Sequence, residues 1–162
     1  MPESIFILNL IQDVAALRPV ILLAVRLGFS VKIIATHNFI DLDKGGFWRR
    51  EIAKLNIASN LSICVLNKYV DTFRFLDGYG IMWAGSESCL PHHRLVHEIF
   101  HICPPHYLRV TLQHGYECVG FLHSHEQDQS FGPVYFAADV LCGWASKSKL
   151  PSLLPSQVDK LI

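Results

Sequence analysis

Two stretches of the sequence concentrate side chains that could bind a metal ion or move a proton. The first is HEIFH, residues 97–101, and the second is RVTLQHGYECVGFLHSHEQD, residues 109–128. His114, His123 and His125 stand close together within the second stretch. Histidine changes its charge near neutral pH and is also a common metal ligand. The two stretches therefore indicate a metal site, a loop that carries a catalytic base, or a crowded piece of core.

The H-E-x-x-H pattern formed by His97, Glu98 and His101 resembles the zinc motif of the zincins. On a helix this spacing puts two imidazoles one turn apart with a carboxylate beside them, and zincins use that arrangement to hold zinc and activate water. His93 extends the same helical face by one turn. However, a Pro-Pro pair at residues 104–105 ends the predicted helix soon after the motif, so a partly exposed helix face is the simpler interpretation.

The segment VGFLHSH, residues 119–125, together with Asp139 is similar to the H-x-H…Asp signature of MPN-type metallo-isopeptidases. Three features depart from that signature. Glu126 stands where those enzymes usually have proline, Phe136 stands where they have serine, and the gap between His125 and Asp139 is longer than usual. The resemblance therefore provides a second metal hypothesis with an incomplete motif.

Composition limits the function classes that remain. The chain has 162 residues, 51% of them hydrophobic, and its 14 basic residues balance 14 acidic ones, so we expect one folded domain with no nucleic-acid footprint. Five cysteines without a C-x-x-C pattern argue against a disulfide framework or a zinc ribbon. The N-terminus lacks the pattern of a signal peptide, and no apolar run is long enough for a bilayer. These features predict a cytoplasmic protein with reduced thiols.

The order of apolar runs and amphipathic segments predicts the fold. Between the runs, helices are expected near residues 18–27, with Pro19 in the first turn, and at residues 45–58 and 91–103. Strands that alternate with helices form a parallel sheet covered on both faces. We therefore predict an α/β, Rossmann-like, doubly wound sheet that is mostly parallel, with about six strands. The predicted strands are residues 4–10, 30–36, 61–66, 79–85, 107–113 and 140–144.

In such a sheet the chemistry gathers at the carboxyl ends of the strands. The fifth predicted strand ends at Gln113, so His114 would reach into the cleft, and Gly115 would let the backbone turn and a substrate approach. A buried histidine bonded to a carbonyl group is the structural alternative. Gln12 and Asp13 follow the first strand, where a turn with a helix cap is the structural alternative. Ser86 and Glu87 follow the fourth strand, where an N-cap for the next helix is the simpler interpretation. Glu117 and His123 are further candidates in the loop after His114, whereas His92, His93 and His106 are expected at the surface.

Three stretches of the chain resemble the N-terminal, acceptor-side domain of GT-B glycosyltransferases. IFILNLIQDVAALRPVILLAVRLG, residues 5–28, is similar to the first strand, loop and helix of that domain. VTLQHG, residues 110–115, is similar to a strand end of the same families, and residues 136–162 resemble the last strand and the link to a donor domain. The likeness is to bacterial enzymes that build surface polysaccharide, and more distantly to CDP-glycerol glycerophosphotransferases.

The resemblance implies that the acceptor and the nucleotide-sugar donor bind to different domains. Residues 1–146 would form the Rossmann-like acceptor domain, and residues 147–162 would lead toward a C-terminal domain that binds the nucleotide-sugar donor. His114 would be the general base, and Gln12, Asp13, Ser86, Glu87, Gln113, Gly115, Glu117 and His123 would contact the acceptor. The acceptor would be a glycan or a lipid-linked molecule near a membrane surface, with no metal and no cofactor. Without the donor domain, this chain alone is expected to be inactive.

Two other hypotheses stay open on the sequence alone. One is a zinc-dependent hydrolase that uses His97 and His101 with His123 or His125, and it requires stoichiometric zinc. The other is a non-catalytic α/β binding domain that acts through a partner, and it requires that the loss of His114 leave activity unchanged.

Overall fold

A six-stranded, fully parallel sheet forms the centre of the protein. The computed structural model describes residues 1–54, 61–66, 68–115, 120–121 and 132–162. The strand order across the sheet is β3-β2-β1-β4-β5-β6, which confirms the predicted Rossmann-like α/β class. The strands are β1 Glu3–Leu8, β2 Ser30–Thr36, β3 Leu61–Leu66, β4 Gly80–Ala84, β5 Tyr107–Leu112 and β6 Val140–Cys142.

The side of the sheet to which new strands are added changes after β3, while all strands remain parallel. The first three strands build outward from β1, and β4 then returns to pair with β1 on its other side. In that pairing Glu3 lies opposite Gly80, and Ile7 lies opposite Ala84. The carboxyl ends of β1 and β4 are therefore neighbours, and the loops that leave them diverge to opposite faces of the sheet. This switch point is where open α/β sheets bind ligands.

Helices cover both faces of the sheet. Val14 and Leu17 of α1, with Ile52 of α3, pack on the face that carries Phe6. On the opposite face, α4 packs Val96, Ile99 and Phe100 against a core that includes Ile5 and Ile7. In the described part of the chain, no helix is long and apolar enough to cross a bilayer. The α-helices are α1 Ile11–Arg26, α2 His37–Leu42, α3 Phe47–Ala53 and α4 Arg94–Ile102, and 3₁₀ turns occupy Tyr69–Phe75, Pro91–His93, Lys147–Lys149 and Pro155–Lys160.

The prediction that Pro19 lies in the first turn of its helix is wrong. The helix α1 begins at Ile11 and continues through Pro19 to Arg26. A proline inside a helix lacks the N–H that would bond the preceding turn, which costs about 3 kcal/mol. The buried stripe of Val14, Leu17 and Ile21 offsets that cost, because apolar side chains of this size each contribute about 1.5–3 kcal/mol when fully buried.

Residues 147–162 pack against the end of the sheet. Leu150 and Leu153 are buried in the same core as α4, and the backbone of Leu161 forms a parallel bridge with Leu141 of β6. The side-chain oxygen of Gln157 accepts a hydrogen bond of 3.2 Å from the backbone N–H of Phe136. This segment therefore shares the hydrophobic core of the sheet domain.

Candidate functional site

Eight of the twelve buried polar residues in the described part of the chain gather where the strands end. Buried polar groups need hydrogen-bond partners, so such a concentration marks a network that the fold is built to hold. The network lies on the carboxyl edge of the sheet, around the switch point between β1 and β4. Its fully or almost fully buried members are Asn9, Asp13, Thr36, Ser86, Glu87, Ser88, Thr111 and Gln113.

Asp13 joins the loops that follow β1 and β4. Its Oδ2 accepts hydrogen bonds of 2.8 Å from the backbone N–H groups of Asn9 and Leu10, and its Oδ1 accepts one from the Ser86 hydroxyl. Asp13 lies in the first turn of α1, where the helix dipole favours a negative charge. Burial raises the pKa of Asp13, and the hydrogen bonds and the charge of nearby His114 act in the opposite direction.

Asn9 extends the network toward β2 and the segment that enters α4. Its Oδ1 accepts hydrogen bonds from Thr36 Oγ1 at 3.0 Å and from Asn38 Nδ2 at 3.3 Å. Its Nδ2 donates to the carbonyl oxygen of His92 at 2.8 Å. Sequence reasoning missed this residue, although an amide side chain directly after an apolar strand is a usable signal.

Glu87 is the central residue of the second half of the network, which comprises Glu87, Thr111, Ala137 and His97. Its side chain has no exposed surface, its Oε2 accepts a 2.9 Å bond from Thr111 Oγ1, and its Oε1 accepts a 3.0 Å bond from the backbone N–H of Ala137. The same Oε1 pairs with Nδ1 of His97 on α4. The carboxylate thus ties β4, β5 and α4 together, and a buried carboxylate needs such partners to be stable.

His114 follows β5, and one nitrogen of its ring is buried. Its Nε2 is buried and has no hydrogen-bond partner among the residues that the structure describes. The ring meets the ring of His93 edge to face, with centroids 6.2 Å apart. A Cβ atom placed on Gly85 would lie 2.9 Å from Asp13 Oδ1 and 3.6 Å from His114 Cβ. Both side chains therefore approach the end of β4, and the glycine leaves room for them.

Gln113 fixes the turn that carries His114. Its Oε1 accepts a 2.9 Å bond from the backbone N–H of Trp144, and its Nε2 donates a 3.0 Å bond to the carbonyl oxygen of Gly115. The expectation that the turn depends on a glycine is wrong at Gly115. A Cβ there would meet none of the described residues within 4 Å, and its φ is not in the left-handed region, whereas Gln113 bonds to both sides of the turn.

The remaining predicted contacts divide into three groups. Gln12 is exposed at the start of α1, beside the network. Asp13, Ser86 and Glu87 are buried and engaged with the protein itself, so they hold the edge of the sheet in place. Glu117 and His123 lie outside the described residues.

The described residues do not complete either predicted metal motif. Among them, no three histidine, cysteine, aspartate or glutamate side chains are grouped to hold an ion. Glu98, the base of the zincin hypothesis, pairs instead with Arg94 at 2.8 Å. Asp139, the third ligand of the isopeptidase hypothesis, accepts a 2.9 Å bond from Arg109 Nε. His123 and His125, the two histidines of the isopeptidase motif, lie outside the described residues.

His93 is not the surface residue that the sequence suggested. Its Nδ1 shares a 2.7 Å hydrogen bond with the buried Ser88 hydroxyl, and its ring packs on His114. Burial, reinforced by the charge of His114, lowers the pKa of His93 to about 4. His93 therefore stays neutral at physiological pH.

The low pKa of His93 predicts a pH-dependent stability. An unfolded chain protonates this histidine below about pH 6.5, whereas the folded chain resists until about pH 4, so the folded state loses stability as the pH falls through that window. Between about pH 7.5 and about pH 5 the loss from His93 should be about 2 kcal/mol. Urea unfolding of the wild type and His93→Gln at both pH values measures it. His92→Gln, an exposed neighbour, should keep the wild-type dependence, and an unchanged dependence in His93→Gln would contradict the assignment.

The fold and the network define an α/β Rossmann-like domain in which His114 lies at the carboxyl ends of the strands. No family model, curated protein or solved structure matches the chain. Because a Rossmann-like sheet serves many unrelated reactions, the function has to be proposed from the chemistry of this site.

Proposed function

We propose that this chain is the acceptor-side domain of a glycosyltransferase and that His114 is its general base. The observation that carries the proposal is the buried Nε2 of His114, which has no hydrogen-bond partner among the described residues and lies at the carboxyl end of β5. A buried ring nitrogen without a protein partner is costly unless another molecule bonds to it. An acceptor hydroxyl group is a partner of the right chemistry.

The proposed reaction uses the lone pair on that nitrogen. The acceptor oxygen attacks the anomeric carbon of the donor sugar, the bond from that carbon to the nucleotide phosphate breaks, and Nε2 of His114 takes the hydroxyl proton. The imidazole then carries a positive charge. The carboxyl group of Asp13 lies close enough to interact electrostatically with that charge. Burial raises the pKa of Asp13, whereas its three hydrogen bonds and the charge on His114 favour the ionised form. In its ionised form, Asp13 would stabilise the charged imidazole.

The proposed place for the acceptor is a cleft beside Asn38 and His92, which both bond to Asn9. A cavity of about 250 Å³ opens at the same edge and is lined by Leu10, Asn38, Asp41, Leu42 and His92. Amide, carboxylate and imidazole groups bond readily to sugar hydroxyls. The sequence has neither G-x-G-x-x-G nor a P-loop, so a second domain would bind the nucleotide-sugar. The acceptor class remains a glycan or a lipid-linked molecule, used in the cytoplasm next to a membrane.

Product formation tests this proposal. The protein tested is this domain joined to the donor-binding domain that the proposal requires. It is incubated with a mixture of UDP-, GDP-, CMP- and dTDP-sugars and a panel of oligosaccharide and lipid-linked acceptors, and the products are read by mass spectrometry. We expect an acceptor whose mass rises by one sugar, with release of the nucleotide. A complete absence of product across the panel, from folded protein, would contradict the proposal.

A further inference from the structure

We propose that His97 and His101 form a binding site for a divalent transition-metal cation such as Zn²⁺, and that Glu87 orients it. The proposed glycosyl transfer does not use this site. The site lies next to Glu87, on the side of α4 that faces solvent.

The two imidazoles already have the spacing of neighbouring ligands. They stand four residues apart on α4, their Nε2 atoms are 3.1 Å apart, and their rings are perpendicular. Two nitrogens that each lie 2.0–2.1 Å from a tetrahedral Zn²⁺ are about 3.3 Å from each other. The observed separation is close to that value, and both rings would turn so that their lone pairs point at an ion beside the line that joins the nitrogens.

Glu87 fixes the tautomer that a metal ligand needs. When the buried carboxylate accepts a hydrogen bond from Nδ1 of His97, the proton of that ring is on Nδ1 and the lone pair is on Nε2. Thr111 and the backbone of Ala137 hold the carboxylate in turn. A carboxylate behind a histidine is the usual support of a metal-binding imidazole, and its loss weakens metal affinity about 10- to 100-fold.

His101 can supply the second ligand because the proton on its ring can move from Nε2 to Nδ1. With a lone pair on His97 Nε2, the 3.1 Å contact is a hydrogen bond donated by His101 Nε2–H. His101 is exposed, so solvent can move that proton to Nδ1 and leave a second lone pair facing the first. The cation then replaces the bridging proton.

The site is open on its outer side. Among the described residues no third side chain of ligand type joins the pair, so water would fill the remaining positions. Such a site exchanges its ion with solvent, which suits a regulatory cation better than a structural one. Occupancy would tighten the contact between α4 and Glu87, and so stabilise the network that ends at β5.

Titration calorimetry with ZnCl₂ on chelator-stripped, untagged protein tests the site. We expect one Zn²⁺ per chain, and Co²⁺ should give a visible absorption band. The variant His101→Ala changes an exposed side chain and should fold normally, yet lower the affinity at least tenfold. Glu87→Gln, which keeps the shape of the side chain, should lower it about 10-fold or more. The surface variant His106→Ala serves as the matched control and should bind like the wild type.

Two results would overturn the inference. One is the absence of Zn²⁺ binding by the wild type, and the other is an unchanged affinity in His101→Ala, which would place the ion elsewhere. Because His114 is intact in all of these variants, the outcome is independent of the glycosyl-transfer assay.

Discussion

The variant His114→Ala should transfer sugar about 100- to 10,000-fold more slowly than the wild type at neutral pH, because that is the usual contribution of a general base. The loss should fall on kcat, with a small change in the KM for the acceptor, since the base acts most strongly in the transition state. Steady-state rates over a range of acceptor concentrations measure kcat and KM.

The matched control for this prediction is His106→Ala, which removes an exposed histidine at the opposite edge of the sheet. Its kcat and its KM for the acceptor should equal those of the wild type. Unfolding midpoints of both variants show that folding is intact. A His114→Ala variant that is folded and retains more than about a tenth of the wild-type rate would exclude a general-base role for this residue.

The variant Glu87→Ala should lose about 3–5 kcal/mol of unfolding free energy, which is the usual cost of removing one partner from a buried charged network. The side chain of Glu87 has no exposed surface and accepts hydrogen bonds from Thr111 and Ala137 while pairing with His97. Its removal leaves these donors unsatisfied inside the protein and opens a cavity. Urea denaturation at neutral pH gives the free energy directly.

The companion variant Glu98→Ala removes a carboxylate on the surface of α4 that pairs only with Arg94 among the described residues. Surface ion pairs of this kind contribute about 0–1 kcal/mol, so Glu98→Ala should stay close to the wild type. If the two glutamate variants were equally stable, Glu87 would not be the anchor of the network.

The strands could be predicted from the sequence because a parallel sheet that is covered on both faces needs continuous apolar runs. The bounds of β2 and β3 agree with the predicted runs at residues 30–36 and 61–66. The helices were harder to place, since their apolar residues are spread over three or four positions per turn. The prediction of one helix over residues 45–58 did not separate α3 from the loop before it, and α2 was missed because it has only six residues.

Part of the candidate site also followed from the sequence. Asp13, Glu87 and His114 come after three different strands, and the parallel topology predicts that such ends meet at one edge. Burial could not be predicted, because it depends on which loops close over which strands. Asp13 and Glu87 were expected to contact an acceptor, yet both are enclosed and bonded to protein partners. The partnership of His93 with Ser88 likewise depends on the tertiary turn before α4.

We propose that a sugar acceptor binds at the carboxyl ends of the strands around His114. A proton–carbon correlation spectrum of protein labelled in its nine histidine rings, recorded while methyl glycosides and short oligosaccharides are added, tests this directly. We expect the ring signals of His114 and His93 to shift and saturate together, while the signal of His106 does not move. Shifts confined to His106, or none with any sugar in the panel, would contradict it.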